Sequence, residues 1–188
     1  MITHVSLDLE TLDTCGRATI LAIAGVAVTE QDGEFTLSHP HFYRVCNIES
    51  QDKRTMSQST VNWWERQSEE ARRVFDEAKT ARHLAHALLE FRDWIGNLPG
   101  DVQVWGNGSV FDVGMLADAM WEQGITEPWD FRNIRDLRTL ADIARRYGFS
   151  TVLPDVGTHH NALDDALYQA NYLAAYFNHL NGVTHHER

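Results

Sequence analysis

Three consecutive segments with strand patterns at the start of the chain most constrain its fold. Residues 3–10 alternate between apolar and polar side chains, the period of a strand with one face in a core. Residues 18–29 form a second β-rich run, and residues 31–34 (QDGE) make a turn into a third run at 35–46. Three strands joined by short connections predict an antiparallel meander.

The rest of the chain has mainly helical periods. Ser59 or Thr60 could cap a short helix, and Ser68 followed by two glutamates is a good helix start. The other expected elements are helices at about 81–95, 110–123, 136–147 and 161–180, and short strands at 102–105 and 131–135. This order predicts an α/β fold of the ribonuclease H-like type, a mixed β-sheet flanked by α-helices. We expect one domain over residues 1–181 and a disordered tail at 182–188.

Composition agrees with a single domain that works inside the cell. The chain has 188 residues, 43% of them hydrophobic, which suffices for one well-packed core. No apolar run approaches the ~20 residues that span a bilayer, and the first residues lack the layout of a signal peptide. We therefore expect a cytoplasmic protein with no membrane partner, in which Cys15 and Cys46 are free thiols.

The net charge limits how the chain could bind nucleic acid. A formal charge of -11 argues against binding along the length of a strand, because phosphate contacts need lysine or arginine. It does not exclude an enzyme that grips only a strand end. The arginines gather within residues 66–92 and 132–146, where they could contact phosphate or form solvated helix faces.

Two carboxylates lie close together in the first predicted strand. Asp8 and Glu10 are two residues apart, so both side chains leave the strand face opposite Val5, Leu7 and Leu9. Adjacent carboxylates repel unless a cation lies between them, and hard oxygen ligands suit Mg²⁺ or Mn²⁺. The alternative is a polar strand face in solvent.

A third carboxylate, Asp112, allows two interpretations. It follows residues 105–109 (WGNGS), a glycine-containing approach from a strand to the start of a helix, where sites commonly form. Ser109 and Asp112 also fit a capping box, which would explain the aspartate structurally.

His160 and Asp165 stand at the start of the last predicted helix. Asp165 lies off the apolar stripe, on a flank that it shares with Tyr168, Gln169 and Tyr172. Asp165 could be a first-turn acid favoured by the helix dipole, and His160 could be a cap. The loop before them could also let the histidine move over a substrate.

Taken together, these motifs resemble those of the DEDDh family of 3′→5′ exonucleases. The matching residues, in the order of that family, are Asp8-Leu9-Glu10, Phe111-Asp112 and residues 160–165 (HNALDD). Residues 59–72 (STVNWWERQSEEAR) are similar to a stretch of the phage exonuclease A (DexA) branch, and a related branch contains RNase AS. Residues 105–108 (WGNG) and 135–139 (RDLRT) have counterparts there.

The resemblance implies a metal-dependent hydrolysis of phosphodiesters. Asp8, Glu10, Asp112 and Asp165 would bind two Mg²⁺ or Mn²⁺ ions, and His160 would be the general base. Single-stranded DNA or RNA would lose nucleoside 5′-monophosphates from its 3′ end. Residues expected to contact substrate are Leu9, Thr11, Leu12, Trp64, Asn107 and Phe111.

Within this set, Trp64 is the expected stacking wall and Leu12 the expected wedge at the terminal base, while Trp63 would be core. Proofreading relatives commonly continue the first motif as T-T-G, whereas residues 11–14 here are TLDT, so end recognition is open. Asp136 could belong to the site or cap the following helix.

Several alternatives stay open at this stage. The choice between RNA and DNA depends on contacts to the 2′-hydroxyl, which the sequence does not reveal. A homodimer is expected only because several relatives pair. The fold could also serve a non-catalytic nucleic-acid-binding module, although that would need a basic surface, or a hydrolase restricted to short oligonucleotides.

Overall fold

A five-stranded sheet with strand order β3-β2-β1-β4-β5 forms the centre of the computed structural model. The structure describes residues 1–149, 153 and 157–186, the last four of these by backbone alone. The strands are β1 (Ile2–Thr11), β2 (Ile20–Gln31), β3 (Glu34–Val45), β4 (Asp101–Gly106) and β5 (Ile134–Asp136). The first three form the predicted antiparallel meander, and β4 and β5 run parallel to β1. The sheet is therefore mixed, as the ribonuclease H-like prediction requires.

Helices cover both faces of this sheet. They are α1 (Gln58–Trp64), α2 (Glu69–Ala78), α3 (Leu84–Gly96), α4 (Asp112–Glu122), α5 (Leu137–Arg146) and α6 (Ala162–His186). Ser68 caps α2 as predicted, by accepting a hydrogen bond from the backbone N–H of Ala71 at 3.1 Å. The cap of α1 is Ser57 rather than Ser59 or Thr60, so that prediction is wrong by one half-turn.

The last helix is longer than expected. It continues to His186 instead of ending near residue 180, so positions 182–186 of the expected disordered tail are helical. Residues 187 and 188, and most of the predicted loop between 150 and 156, lie outside the described residues. The domain limits of 1–181 remain a prediction.

The two faces of β1 are both buried, so the alternative of a polar strand face in solvent is wrong. Val5 and Leu7 pack with α3 and α4 in one core cluster. On the opposite face lies α6, whose small side chains bring the helix close to the sheet; they are Ala162, Ala166, Ala170 and Ala174. Ser6 is fully buried and Glu10 is 7% exposed under this helix. Buried polar groups need partners, and those partners form the site described next.

Two composition-based expectations can be compared with the structure. Cys15 is exposed and Cys46 is buried, and both are free thiols as predicted. Among the helices that the structure describes, none combines the length and apolar character needed to cross a bilayer.

Candidate active site

Strand β1 and helix α6 bring three carboxylates together although they are far apart in sequence. Asp8 and Glu10 come from β1, and Asp165 comes from the first turns of α6. One potential ligand atom from each of these three residues lies within 4.8 Å of the other two. At this spacing the three carboxylates could bind one cation together. The fold thus brings together the first and last parts of the predicted motif set.

Asp112 joins this group from the start of α4. It is 4% exposed, and its carboxylate accepts hydrogen bonds from the backbone N–H groups of Leu9 and Asn107. Gly106 makes the close approach possible, because a Cβ atom there would lie 3.1 Å from the Cβ of Asp112. The residue before the helix, Phe111, caps it without a side-chain hydrogen bond. The capping-box interpretation of Asp112 is therefore wrong.

Asp136 holds the loop that leads to Asp112. Its Oδ1 accepts from the backbone N–H of Thr139 at 2.9 Å and thereby caps α5, as one of the two sequence interpretations expected. Its Oδ2 accepts from the backbone N–H of Ser109 at 2.7 Å. Burial alone would raise the pKa of Asp136, but these hydrogen bonds lower it. Asp136 thus fixes the loop from outside the carboxylate cluster.

Burial raises the pKa of all four clustered carboxyl groups, and repulsion by the other members adds to it at Asp8 and Glu10. Burial is the largest cause, and for Asp8 the neighbouring Asp112, Glu10 and Asp165 add to it, so its pKa lies well above the usual value. The pKa of Glu10 rises to about 8 and that of Asp112 to about 7. The pKa of Asp165 is raised as well. Four crowded carboxyl groups offer the oxygen ligands that suit hard divalent cations such as Mg²⁺ or Mn²⁺.

His160 lies beside the cluster in an unusual backbone conformation. Its φ is +64°, in the left-handed region, and its backbone N–H donates to Asp165 Oδ2 at 3.1 Å. Its ring stands edge-on to Trp63, with 4.6 Å between ring centroids. The cap of α6 is Asn161, whose Oδ1 accepts from the backbone N–H groups of Leu163 and Asp164. His160 is therefore not the cap, and its side chain lines the same cleft as the carboxylates.

This cleft has a volume of about 990 Å³ and receives some, but not all, of the predicted substrate-binding residues. Leu9, Asn107 and Phe111 line it together with the carboxylates and His160. Leu12 is 2% exposed and packs in the core, so its predicted role as a wedge is wrong. Thr11 is 7% exposed, and its hydroxyl donates to the backbone oxygen of Asp13 at 2.8 Å.

The burial expected of the two tryptophans is reversed in the structure. Trp64 is 2% exposed and its indole Nε1 donates to the backbone oxygen of Thr11 at 2.9 Å. A side chain enclosed in this way offers no face to a base, so the prediction for Trp64 is wrong. Trp63 is 39% exposed and contacts His160.

Two residues near the carboxylates were not among the predicted site residues. Gln169 is 5% exposed, and its Nε2 donates to Asp8 Oδ1 at 2.8 Å. Its position four residues after Asp165, on the same helix flank, was a usable signal. Arg138 of α5 also lines the cleft, with its guanidinium group beside Gly108, and its charge opposes the rise in the pKa of Asp112.

Comparisons with known proteins agree with this arrangement. Residues 3–177 match the model of the 3′–5′ exoribonuclease Rv2179c-like domain family. A comparison with curated proteins finds no significant match. Among solved structures, the nuclease domain of 3′hExo, a DEDDh family member bound to rAMP, is similar in fold, with a TM-score of 0.62. The two chains are 13% identical, and the match covers 92% of this chain and 90% of the other.

The family match spans both ends of the carboxylate cluster, from β1 to α6, and the fold is that of a DEDDh nuclease domain. The DexA branch receives no support of its own from these comparisons. With the ordered motifs, the sheet topology and the family model in agreement, the chain belongs to the 3′–5′ exoribonuclease Rv2179c-like domain family, is a 3′–5′ exonuclease, and has the fold of a DEDDh nuclease domain.

Proposed function

We propose that the protein hydrolyses single-stranded RNA from the 3′ end and releases nucleoside 5′-monophosphates. The observation that carries this proposal is the cluster of Asp8, Glu10 and Asp165 within 4.8 Å, with Asp112 beside it and His160 on the same cleft. We assign RNA rather than DNA as the substrate because the matching family is described as an exoribonuclease family.

The carboxylates would act by holding two divalent cations at the scissile phosphate. Bound Mg²⁺ or Mn²⁺ would supply Lewis-acid chemistry that neutralises charge on the phosphate and on the leaving 3′-oxygen. Asp8 and Glu10 would present their oxygens from β1, Asp165 from α6 and Asp112 from α4. The fixed backbone contacts of Asp112 and Asp165 keep these oxygens in place without reorganisation during the reaction.

His160 would accept the proton of the attacking water through an imidazole nitrogen. General base catalysis requires a nitrogen that can reach the water, and the ring of His160 lines the cleft that holds the carboxylates. The backbone bond to Asp165 and the ring contact with Trp63 hold the histidine from two sides.

The walls of the cleft suit the end of a single strand. Phe111 lines the cleft, and Trp63 is partly exposed beside it against the ring of His160. Both could stack on bases without reading their sequence. Arg138 would meet a backbone phosphate, whereas the nearby Arg145 is already paired with Asp142. A cleft with few cations agrees with a net charge of -11 and with an enzyme that holds only a short stretch of substrate.

A single experiment tests the proposal. Single-stranded RNA and DNA oligonucleotides of the same sequence, labelled at the 5′ end, are incubated with Mg²⁺, Mn²⁺ or EDTA and resolved on a gel. We expect a metal-dependent ladder that shortens from the 3′ end, faster for RNA than for DNA, with mononucleotide product. Asp165→Ala should abolish it, and Asp93→Ala, an exposed residue paired with Arg92, should not.

The other outcomes contradict the proposal in distinct ways. Faster cleavage of DNA would reverse the substrate assignment. Cleavage confined to the shortest oligonucleotides would indicate a hydrolase of fragments, and binding without cleavage would indicate a non-catalytic module. The expected homodimer stays a prediction, which light scattering tests.

A further inference from the structure

A hydrogen-bonded chain of three side chains links the carboxylate cluster to the centre of the sheet. Ser6 Oγ donates to Gln169 Oε1 at 3.2 Å, and Gln169 Nε2 donates to Asp8 Oδ1 at 2.8 Å. Ser6 is fully buried and Gln169 is 5% exposed, so solvent does not compete for these bonds.

The packing of α6 on β1 explains why these three residues meet. Successive positions on one face of α6 contact successively earlier positions of β1. Asp165 lies near Glu10, Gln169 bridges Asp8 and Ser6, and Phe177 packs on His4 with 4.5 Å between ring centroids. A step of four residues in a helix is about 6 Å, close to the step of two residues in a strand. Gln169 therefore lies between the carboxylate cluster and the contact of Phe177 with His4.

We infer that Gln169 is a positioning residue for the metal centre, which fixes the rotation of the Asp8 carboxyl group so that its oxygens face the cations. This inference rests on the proposed function, because it assigns a role relative to the cations that Asp8 would hold.

Each end of the amide has a distinct task. The Nε2 donor restrains Asp8 Oδ1 through the hydrogen bond of 2.8 Å. The Asp8 carboxylate fixes the orientation of the amide, because it only accepts hydrogen bonds and a flipped amide would point its oxygen at it. The Ser6 hydroxyl donates to the amide oxygen and so holds the other end of the side chain. Residues that orient a metal ligand in this way typically change metal affinity or activity about 10–100-fold when they are replaced.

The test measures Mn²⁺ binding to the whole chain by calorimetry, with no nucleic acid present, and then kcat and KM for RNA. Gln169→Met keeps the length and volume of the side chain but removes both hydrogen bonds. We expect Mn²⁺ to bind at least about tenfold more weakly and kcat at limiting metal to fall, with KM for RNA unchanged. Ser6→Ala should produce a smaller loss, because the amide keeps its bond to Asp8 and loses only the hydrogen bond at its oxygen.

Gln51→Met is the matched control. Gln51 is 4% exposed and holds both backbone groups of Ile20 at 2.8 Å, away from the carboxylates. This variant should lower the melting temperature in EDTA while Mn²⁺ affinity is kept. A lower stability with an unchanged affinity for Mn²⁺ is the result expected of a glutamine with a purely structural role.

The inference is overturned if Gln169→Met and Ser6→Ala, folded in EDTA, both bind Mn²⁺ within twofold of the original chain. If Gln169→Met does not fold, the affinity of Ser6→Ala decides alone. Failure of the proposed function is recognised by a different observation. In that case the unsubstituted chain shows no metal-dependent cleavage of RNA.

Discussion

In the absence of divalent metal, raising the pH should destabilise the folded protein. The pKa of Glu10 is about 8 in the folded state, against 4.5 for the free side chain, because the carboxyl group is buried beside Asp165 and Asp112. A raised folded-state pKa stabilises the fold fully below the unfolded-state value and loses this contribution as the pH rises through the folded-state value. From about pH 6.5 to about pH 8.5, Glu10 alone should remove about 2 kcal/mol of unfolding free energy.

The pH range begins at about 6.5 because, at lower pH, the titration of His4 changes the stability in the opposite direction. Burial lowers the pKa of His4 to about 4, so its neutral form stabilises the fold above the unfolded-state value of 6.5 and no longer changes at higher pH. Asp112, with a pKa of about 7, adds to the loss in the same direction as Glu10.

Urea unfolding in EDTA across this pH range measures the effect. Glu10→Gln should flatten the pH dependence, whereas Glu49→Gln, an exposed carboxylate outside the cluster, should keep it. Saturating Mn²⁺ should restore the lost stability at high pH, because a bound cation replaces protons in neutralising the cluster. A stability in EDTA that is constant with pH, or a Glu10→Gln variant with the original slope, would refute the assigned crowding of charge.

Three further predictions concern His160, the two tryptophans of α1 and Arg138. His160→Ala should lower kcat by at least ~100-fold while calorimetry shows unchanged Mn²⁺ affinity, and a rate within tenfold would exclude it as general base. Trp64→Ala should lose about 3–5 kcal/mol of stability in urea unfolding. Trp63→Ala should keep the stability and raise KM, by about 1–3 kcal/mol in binding; equal destabilisation by both would contradict the reversed burial. Arg138→Ala should weaken RNA binding and reduce its salt slope by about one, whereas Arg132→Ala, paired with Asp130, should not.

The order of motifs, compared with that of the DEDDh family, was sufficient to predict which carboxyl groups the fold brings together. A strand of period two places Asp8 and Glu10 on one face, and a helix start places Asp165 near a sheet end. The pattern of polarity did not reveal that α6 covers this face, because alternation distinguishes polar from apolar positions and not solvent from a buried site. The burial that raises the pKa of Glu10 could be seen only in three dimensions.

The two tryptophans mark the limit of local reasoning. Neighbouring residues on a helix point about 100° apart, so the start of α1 decides which one enters the core. That helix begins after Ser57, earlier than expected, and Trp64 rather than Trp63 turns inward. Leu12 failed for a similar reason, since it follows the β1 bulge between Glu10 and Thr11, where simple alternation no longer tells which face a residue occupies.

The junction of β1 with α6 also has a consequence for the activity of the chain. Asp8 and Glu10 precede His160, Asp165 and Gln169 by 150 residues or more in the chain. Until α6 docks, the face of β1 that carries Asp8 and Glu10 lacks this helix and the carboxylate cluster is incomplete. Exonuclease activity therefore requires the docked helix, because a chain that has not placed α6 on β1 lacks both Asp165 and His160 at the site.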